Sequence, residues 1–237
     1  MMQTYVALDL ETTGLQPKTD RILEIGALKV VNDEIVDTYR TFVNPRMKIP
    51  DSIRQLTGIT QEMVEGQPYQ EEAVSNILDF CGDLPLLGHN ILFDYSFLKH
   101  QAANLRREFE KKACDTLHIA RKAFPGLPSR SLTSMCSYYA IDRTRAHRAY
   151  DDAWASMKLY EYLWGEFGKK NPAWFETKPL TYKVKRQNPI TPAQKRYLND
   201  LIKYHKIEAE VEPDSLTKNE ASRMIDHIIL RYGRIER

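Results

Sequence analysis

Cysteine is scarce in this chain: Cys81, Cys114 and Cys136 are the only three in 237 residues. They are scattered and odd in number, so they suggest neither a disulfide framework nor a zinc site. Long apolar runs are also missing; none approaches the roughly 20 residues that span a bilayer, and no membrane partner is expected. The chain passes from Met1 straight into a strand-like pattern, without the charged and apolar regions of a secretory signal. A reducing, cytoplasmic setting is the expectation. Charge of one sign does not dominate, since the net value is only +2. That value conceals an asymmetry: residues 1–168 hold 19 Lys+Arg against 23 Asp+Glu (−4), and residues 169–237 hold 15 against 9 (+6). A basic tail behind an acidic body suits a polyanion partner.

What is present is a succession of short strands and amphipathic helices. Thr4–Leu10, Arg21–Val31 and Glu34–Val43 read as three strands, with Asn32-Asp33 as a tight hairpin turn. Helices follow, one capped by Asp51 and ending near Leu56, another over Gln70–Phe80. Pro85–His89 and Lys112–Thr116 supply two more strands, and helices fit Asp94–Leu105, Asp115–Ala123, Ser131–Tyr139 and Asp152–Phe167. Antiparallel strands followed by alternating strands and helices imply an α/β fold. It has a mixed five-stranded sheet, three strands antiparallel and then two parallel, flanked by helices. Residues 1–168 form the main domain, and 169–189 reads as a linker, although Trp174, Phe175 and Tyr182 could pack back. Residues 190–237 make a small, basic helical module. Thr191-Pro192 opens one of its helices, and Thr217 with Glu220 forms a capping box for another.

Three acidic clusters carry the chemistry. Asp9 and Glu11 lie two apart at the end of the first strand, so both project from one face. Paired carboxylates repel, and burying them is costly unless a cation compensates; on an open face they are merely solvated. Thr12, Thr13 and Gly14 add hydroxyls and a pliant backbone able to approach a phosphate. His89-Asn90 and Phe93-Asp94 form the second cluster. Asp94 lies in line with the apolar stripe Phe97, Leu98, Ala102 and Leu105, as either a helix cap or a ligand at the edge of the core. The third runs from His147 to Asp152. From Asp152, positions 155, 156, 159 and 163 are small or apolar, which favours Asp152 as the inward acid and Asp151 as a surface charge or cap. His147 precedes that helix, on a loop.

D-x-E-T-T-G at Asp9–Gly14, H-N-x-x-F-D at His89–Asp94 and H-x-A-x-x-D at His147–Asp152 together resemble the three motifs of the DEDDh exonucleases. This is the DnaQ-like group that includes the proofreading subunit of bacterial DNA polymerase III. The resemblance covers about residues 3–166 and implies a ribonuclease H-like fold. It also implies that Asp9, Glu11, Asp94 and Asp152 hold two divalent cations, Mg²⁺ or Mn²⁺, and that His147 is the general base of 3′→5′ phosphodiester hydrolysis. Hard oxygen ligands agree with those metals on their own account. Thr12, Thr13, Gly14, His89 and Asn90 become candidates to contact substrate, and Asp115 a helix start rather than a ligand. Leu15 and Phe93 are candidates to pack on the terminal nucleotide's base, or else are simple core. The expected partner is nucleic acid with a free 3′ end, preferably single-stranded DNA. A DNA polymerase or another replication or repair protein is the further partner that the resemblance suggests. An RNA-trimming enzyme and a non-catalytic nucleic-acid-binding protein remain open, as does whether the basic module holds nucleic acid or a protein.

Overall fold

A computed structural model describes residues 1–142, 147–184 and 187–235. Strands β1 (Tyr5–Thr12), β2 (Ile22–Val31) and β3 (Glu34–Phe42) form the expected antiparallel meander. Asn32 and Asp33 turn between β2 and β3 with φ of 53° and 67°, the left-handed backbone that a tight hairpin demands and that Asn and Asp tolerate. There follow α1 (Asp51–Thr57), α2 (Gln61–Val64), α3 (Gln70–Cys81), β4 (Leu86–Gly88) and α4 (Leu92–Asn104). After them come β5 (Lys112–Asp115), α5 (Thr116–Ala123), α6 (Leu132–Tyr138) and α7 (Ala149–Leu163). β4 lies parallel to β1, and β5 parallel to β4.

The sheet has six strands rather than five, in the order β3-β2-β1-β4-β5-β6. The extra strand, β6 (Lys178–Pro179), pairs antiparallel with β5 from within the stretch read as a linker. Two residues carry no periodicity, and the proline is tolerated because β6 is an edge strand. Nearby, Phe175 is buried with its ring 5.0 Å from that of Trp164. Three helix starts also differ from expectation. Asp51 sits in the first turn of α1, whose cap position is Pro50. α4 begins two residues before Asp94, which therefore lies inside the helix rather than at its cap. α7 begins at Ala149, because the small residues Ala149 and Ala153 let its first turn pack on the sheet.

Side-chain alternation along β1 divides the core. Val6, Leu8 and Leu10 face α3 and α4, and Tyr5 and Ala7 face α5, α6 and α7. Each fully buried Leu, Ile or Val contributes about 1.5–3 kcal/mol, which anchors β1 as the central strand. Asp9 and Glu11 continue the α7 side of β1 and pair in register with Gly26 and Glu24 of β2. Gly26 controls the approach of α7: a Cβ there would lie 2.1 Å from the Tyr150 backbone nitrogen. Only glycine lets the first turn of that helix rest directly on the sheet beside Asp9.

α8 (Pro192–Tyr204) and α9 (Lys218–Tyr232) enclose their own apolar cluster, including Leu198, Leu201, Leu216, Ala221, Ile225 and Ile228. Both begin with capping boxes, Thr191 with Gln194 and Thr217 with Glu220. This part meets the rest of the chain through the Arg21–Glu220 ion pair at 3.0 Å. Backbone hydrogen bonds add to it, from Lys48 to Glu210 at 2.7 Å and from Glu212 to Arg46 at 2.9 Å. Among the described residues no helix is long and apolar enough to cross a membrane.

Candidate active site

The parallel strands β1 and β4 end at one edge of the sheet, and the starts of α4 and α7 converge there. Glu11, His147 and Asp152 offer ligand atoms that all lie within 4.8 Å of one another. Glu11 arrives on β1 and Asp152 in the first turn of α7, where the helix dipole favours a negative charge. Asp152 is buried and Asp151 only half-buried, so the helix directs Asp152 inward. His147 holds φ at 63°, a left-handed backbone that turns the chain sharply before α7.

Asp94 approaches from the other side of β1. Its Oδ1 accepts the Leu10 N–H at 2.9 Å, so the residue between Asp9 and Glu11 is tied to α4. Burial, reinforced by the charges of Glu11 and Asp115, holds the Asp94 carboxyl well above the usual carboxylate range, although hydrogen bonds from Leu10 and its own backbone oppose the rise. A buried acid facing further acids is what a divalent cation would relieve. The all-oxygen set with one imidazole fits Mg²⁺ or Mn²⁺.

The other residues singled out from sequence have varied surroundings. Thr12 Oγ1 donates to the Gly14 carbonyl at 2.7 Å, and Thr13 Oγ1 accepts the Arg21 N–H at 2.9 Å. Both hydroxyls brace the loop after β1, with Gly14 packed against the Asp20 carboxylate. Leu15 is 81% exposed, which removes core packing as its role. Phe93 is half-buried, its ring 5.1 Å from that of Phe97. His89 spans two segments, with Nδ1 2.9 Å from Thr116 Oγ1 and Nε2 2.8 Å from the Arg130 carbonyl. Asn90 (φ 71°) donates its backbone N–H to Asp115 Oδ1 at 3.0 Å. The same Asp115 oxygen accepts the Leu117 N–H at 2.9 Å and so caps α5, a structural helix start.

Glu24 is a site residue that the sequence motifs do not mark. Its carboxylate accepts Arg148 Nη2 at 2.9 Å, Arg148 Nε at 3.1 Å and the Ala149 N–H at 3.2 Å. These bonds pin the junction between His147 and α7 to the sheet. A signal does exist: an acid inside the apolar run Ile22-Leu23-Glu24-Ile25 must be paired if that strand is buried.

Comparison with known proteins bears on the family and the fold. The RNase_T family, described as exonuclease, matches residues 6–160. The chain is 34% identical over 170 residues to the DNA polymerase III subunit epsilon of Aquifex aeolicus, spanning 70% of this chain and 84% of that protein. It is 39% identical over 158 residues to the PolC-type DNA polymerase III of Clostridium perfringens, 67% of this chain but 11% of that polymerase. Among solved structures, exonuclease I superposes with a TM-score of 0.63 at 21% identity, over 73% of this chain and 42% of that one. The nuclease domain of 3′hExo, a DEDDh family member bound to rAMP, superposes with a TM-score of 0.59 at 21% identity, over 76% and 98%. These two likenesses carry the ribonuclease H-like fold. The family match and the epsilon relative make this chain a member of the RNase_T exonuclease family.

Proposed function

We propose that this protein is a metal-dependent 3′→5′ exonuclease that removes nucleotides from DNA, in proofreading or repair. The observation that carries the reading is the meeting of Glu11, His147 and Asp152 within 4.8 Å, beside the buried Asp94. Asp9, Glu11, Asp94 and Asp152 would hold two divalent cations. When bound, such ions neutralise charge on the phosphate and on the departing oxygen. The chain's own contributions are separate. His147 accepts a proton from the attacking water, whose oxygen bonds to phosphorus as the bond to the 3′-oxygen breaks. The departing oxygen takes a proton from solvent, leaving a shortened chain with a 3′-hydroxyl and a nucleoside 5′-monophosphate. Leu15, exposed beside the loop after β1, packs on the terminal base, and the Thr12–Gly14 backbone lines the sugar and phosphate.

DNA is favoured by the relatives, named as DNA polymerase III subunit epsilon and DNA polymerase III PolC-type, and by a solved complex of E. coli exonuclease I with a dA16 oligonucleotide. The same names support association with a DNA polymerase. RNA trimming is the second reading, supported by the 3′hExo domain bound to rAMP. In this scheme residues 1–168 are the catalytic domain, 169–189 a connecting segment, and 190–237 a separate helical module, all in the cytoplasm.

The test uses end-labelled single-stranded DNA and RNA of one sequence, with Mg²⁺ and then with EDTA. The expected result is loss of nucleotides from the 3′ end of DNA, stopped by EDTA. Degradation of RNA alone would move the protein to the second reading. No turnover of either substrate with Mg²⁺ or Mn²⁺ would remove the enzymatic one.

A further inference from the structure

Away from the carboxylates, a cleft of about 220 Å³ lies between the catalytic fold and the C-terminal module. Its walls include Lys18, Arg21, Arg46 and His100 on one side and Pro189, Leu216 and Thr217 on the other. The space far exceeds one water's share of about 30 Å³. Arg21 follows the loop that leaves β1, and its carbonyl accepts the Thr13 N–H at 2.8 Å. His100 lies on α4, six residues after Asp94, or about 9 Å along the helix axis. The cleft therefore adjoins the catalytic edge without sharing its residues.

The charges there do not cancel. Arg21 is paired with Glu220 at 3.0 Å, and Arg46 with Glu71 at 3.9 Å. Asp214, also on the wall, pairs with Lys195. Lys18 is left over among the described residues, so three cations face two acids. His100 is 1% exposed, yet its Nδ1 has no hydrogen-bond partner among the described residues; neither has Gln187 Oε1, another buried atom on the wall. A buried polar atom without a partner costs about 1–3 kcal/mol, and an imidazole nitrogen, unlike the Gln187 amide oxygen, which only accepts, can donate to an anionic ligand in this cavity. Burial, with the charges of Lys18 and Arg21, holds the His100 ring below its ordinary pKa.

We infer that this cleft is a phosphate-binding site, formed by Lys18, Arg21, Arg46 and His100 and closed by the C-terminal module. The phosphate belongs either to a nucleic-acid backbone running away from the catalytic edge or to free inorganic phosphate. The first source rests on the nuclease reading and the second does not. In the first case the module takes part in holding substrate by completing the cleft, and not through its surface charge alone.

Both arms use the full chain in EDTA, without turnover, so that failure here is distinct from failure of the nuclease reading. The first measures binding of labelled dT12 across a salt series for the wild type and a Lys18→Ala, Arg46→Gln double variant. Each lost phosphate contact lowers the slope of log K against log salt by about 0.7 for a single strand. A fall of about 0.7–1.4 is expected. The second compares melting temperature in sodium phosphate and in sodium chloride at equal ionic strength. The wild type should gain stability in phosphate and the double variant should not. A response in the oligonucleotide arm identifies a backbone phosphate, and one in the second arm alone identifies free phosphate. His100→Leu should keep its melting temperature yet lose the phosphate response, which a purely structural histidine would not do. Unchanged slopes together with an unchanged phosphate response in both variants would overturn the site.

Discussion

Glu24 on β2 grips Arg148 from below α7, with two carboxylate oxygens against the guanidinium at 2.9 and 3.1 Å. Arg148 directly follows His147, and Glu24 stands opposite Glu11 in the sheet register. One ion pair therefore ties the histidine, the first turn of α7 and the β1 acids into a single frame. About a third of the Arg148 side chain is exposed. Removing its partner should thus cost less than the roughly 3–5 kcal/mol of a fully buried pair. Glu24→Gln should lower the melting temperature by a few degrees, at about 2–4 °C per kcal/mol for a chain of this size. It should also reduce kcat by about 10–100-fold, since a shift near 1 Å in a reacting group can cost that much. Steady-state kinetics at a temperature where the variant is fully folded separates the two effects. A destabilised variant with normal kcat would reduce Glu24 to a structural part.

Asp94 should trade stability for function. Its raised pKa means that the folded protein holds a carboxyl that resists ionising, while the unfolded chain ionises it near the ordinary value. The unfolded state therefore binds fewer protons between those two values, and stability falls as pH rises through that window. Asp94→Asn removes this penalty and keeps an oxygen for the Leu10 N–H. At pH 7 without metal, the variant should melt above the wild type. Adding Mn²⁺ should raise the melting temperature of the wild type, because a ligand that binds only the folded state stabilises it. The same addition should leave Asp94→Asn largely unmoved and inactive. Equal metal responses in the two proteins would take Asp94 out of the ligand set.

Gly26 tests whether the approach of α7 to the sheet sets the site. A Cβ there would meet the Ala149 carbonyl carbon at 2.2 Å as well as Tyr150, and backbone cannot yield as a flexible side chain can. Gly26→Ala should cost about 1–3 kcal/mol by overpacking and displace Asp152 and His147 together. Activity should drop by more than tenfold while metal-free folding persists, as read by circular dichroism and turnover side by side. Unimpaired turnover would mean that the contact does not govern the site.

Fold and site differ in how far the sequence reveals them, for physical reasons. β1, β2 and β4 are legible because a buried strand must be apolar, and the largely exposed β3 shows through the Asn32-Asp33 hairpin that returns it beside β2; the α7 stripe from Asp152 distinguishes the buried member of the Asp151–Asp152 pair. β6 is not legible, since two residues of edge strand leave no pattern. The start of α7 is hidden because Arg148, at the cap position, makes no side-chain capping bond; the pairing of Glu24 with the Ala149 N–H takes its place, and that is a contact 125 residues apart. The roles of Thr12 and Thr13 are equally hidden, because hydroxyls that brace a loop and hydroxyls that meet a phosphate look alike in sequence.

His147 and Asp152 should respond differently to replacement. His147→Asn preserves a side chain that tolerates φ of 63°, so the fold should survive while the proton acceptor is lost. A positioned general base contributes about 10²–10⁴-fold, and kcat should fall within that range with metal-dependent stabilisation nearly intact. Asp152→Ala, in contrast, removes a proposed ligand from the first turn of α7 and should abolish both the metal response and turnover. Asp151→Ala, one residue away and half-buried, should keep both. Paired measurements of kcat and Mn²⁺-induced melting shift on the three variants decide the assignment. If Asp151→Ala were inactive and Asp152→Ala active, the inward face of α7 would be the opposite of the one its burial indicates. If His147→Asn lost the metal response along with turnover, the imidazole would be acting as a ligand, as its distance from Glu11 and Asp152 also permits.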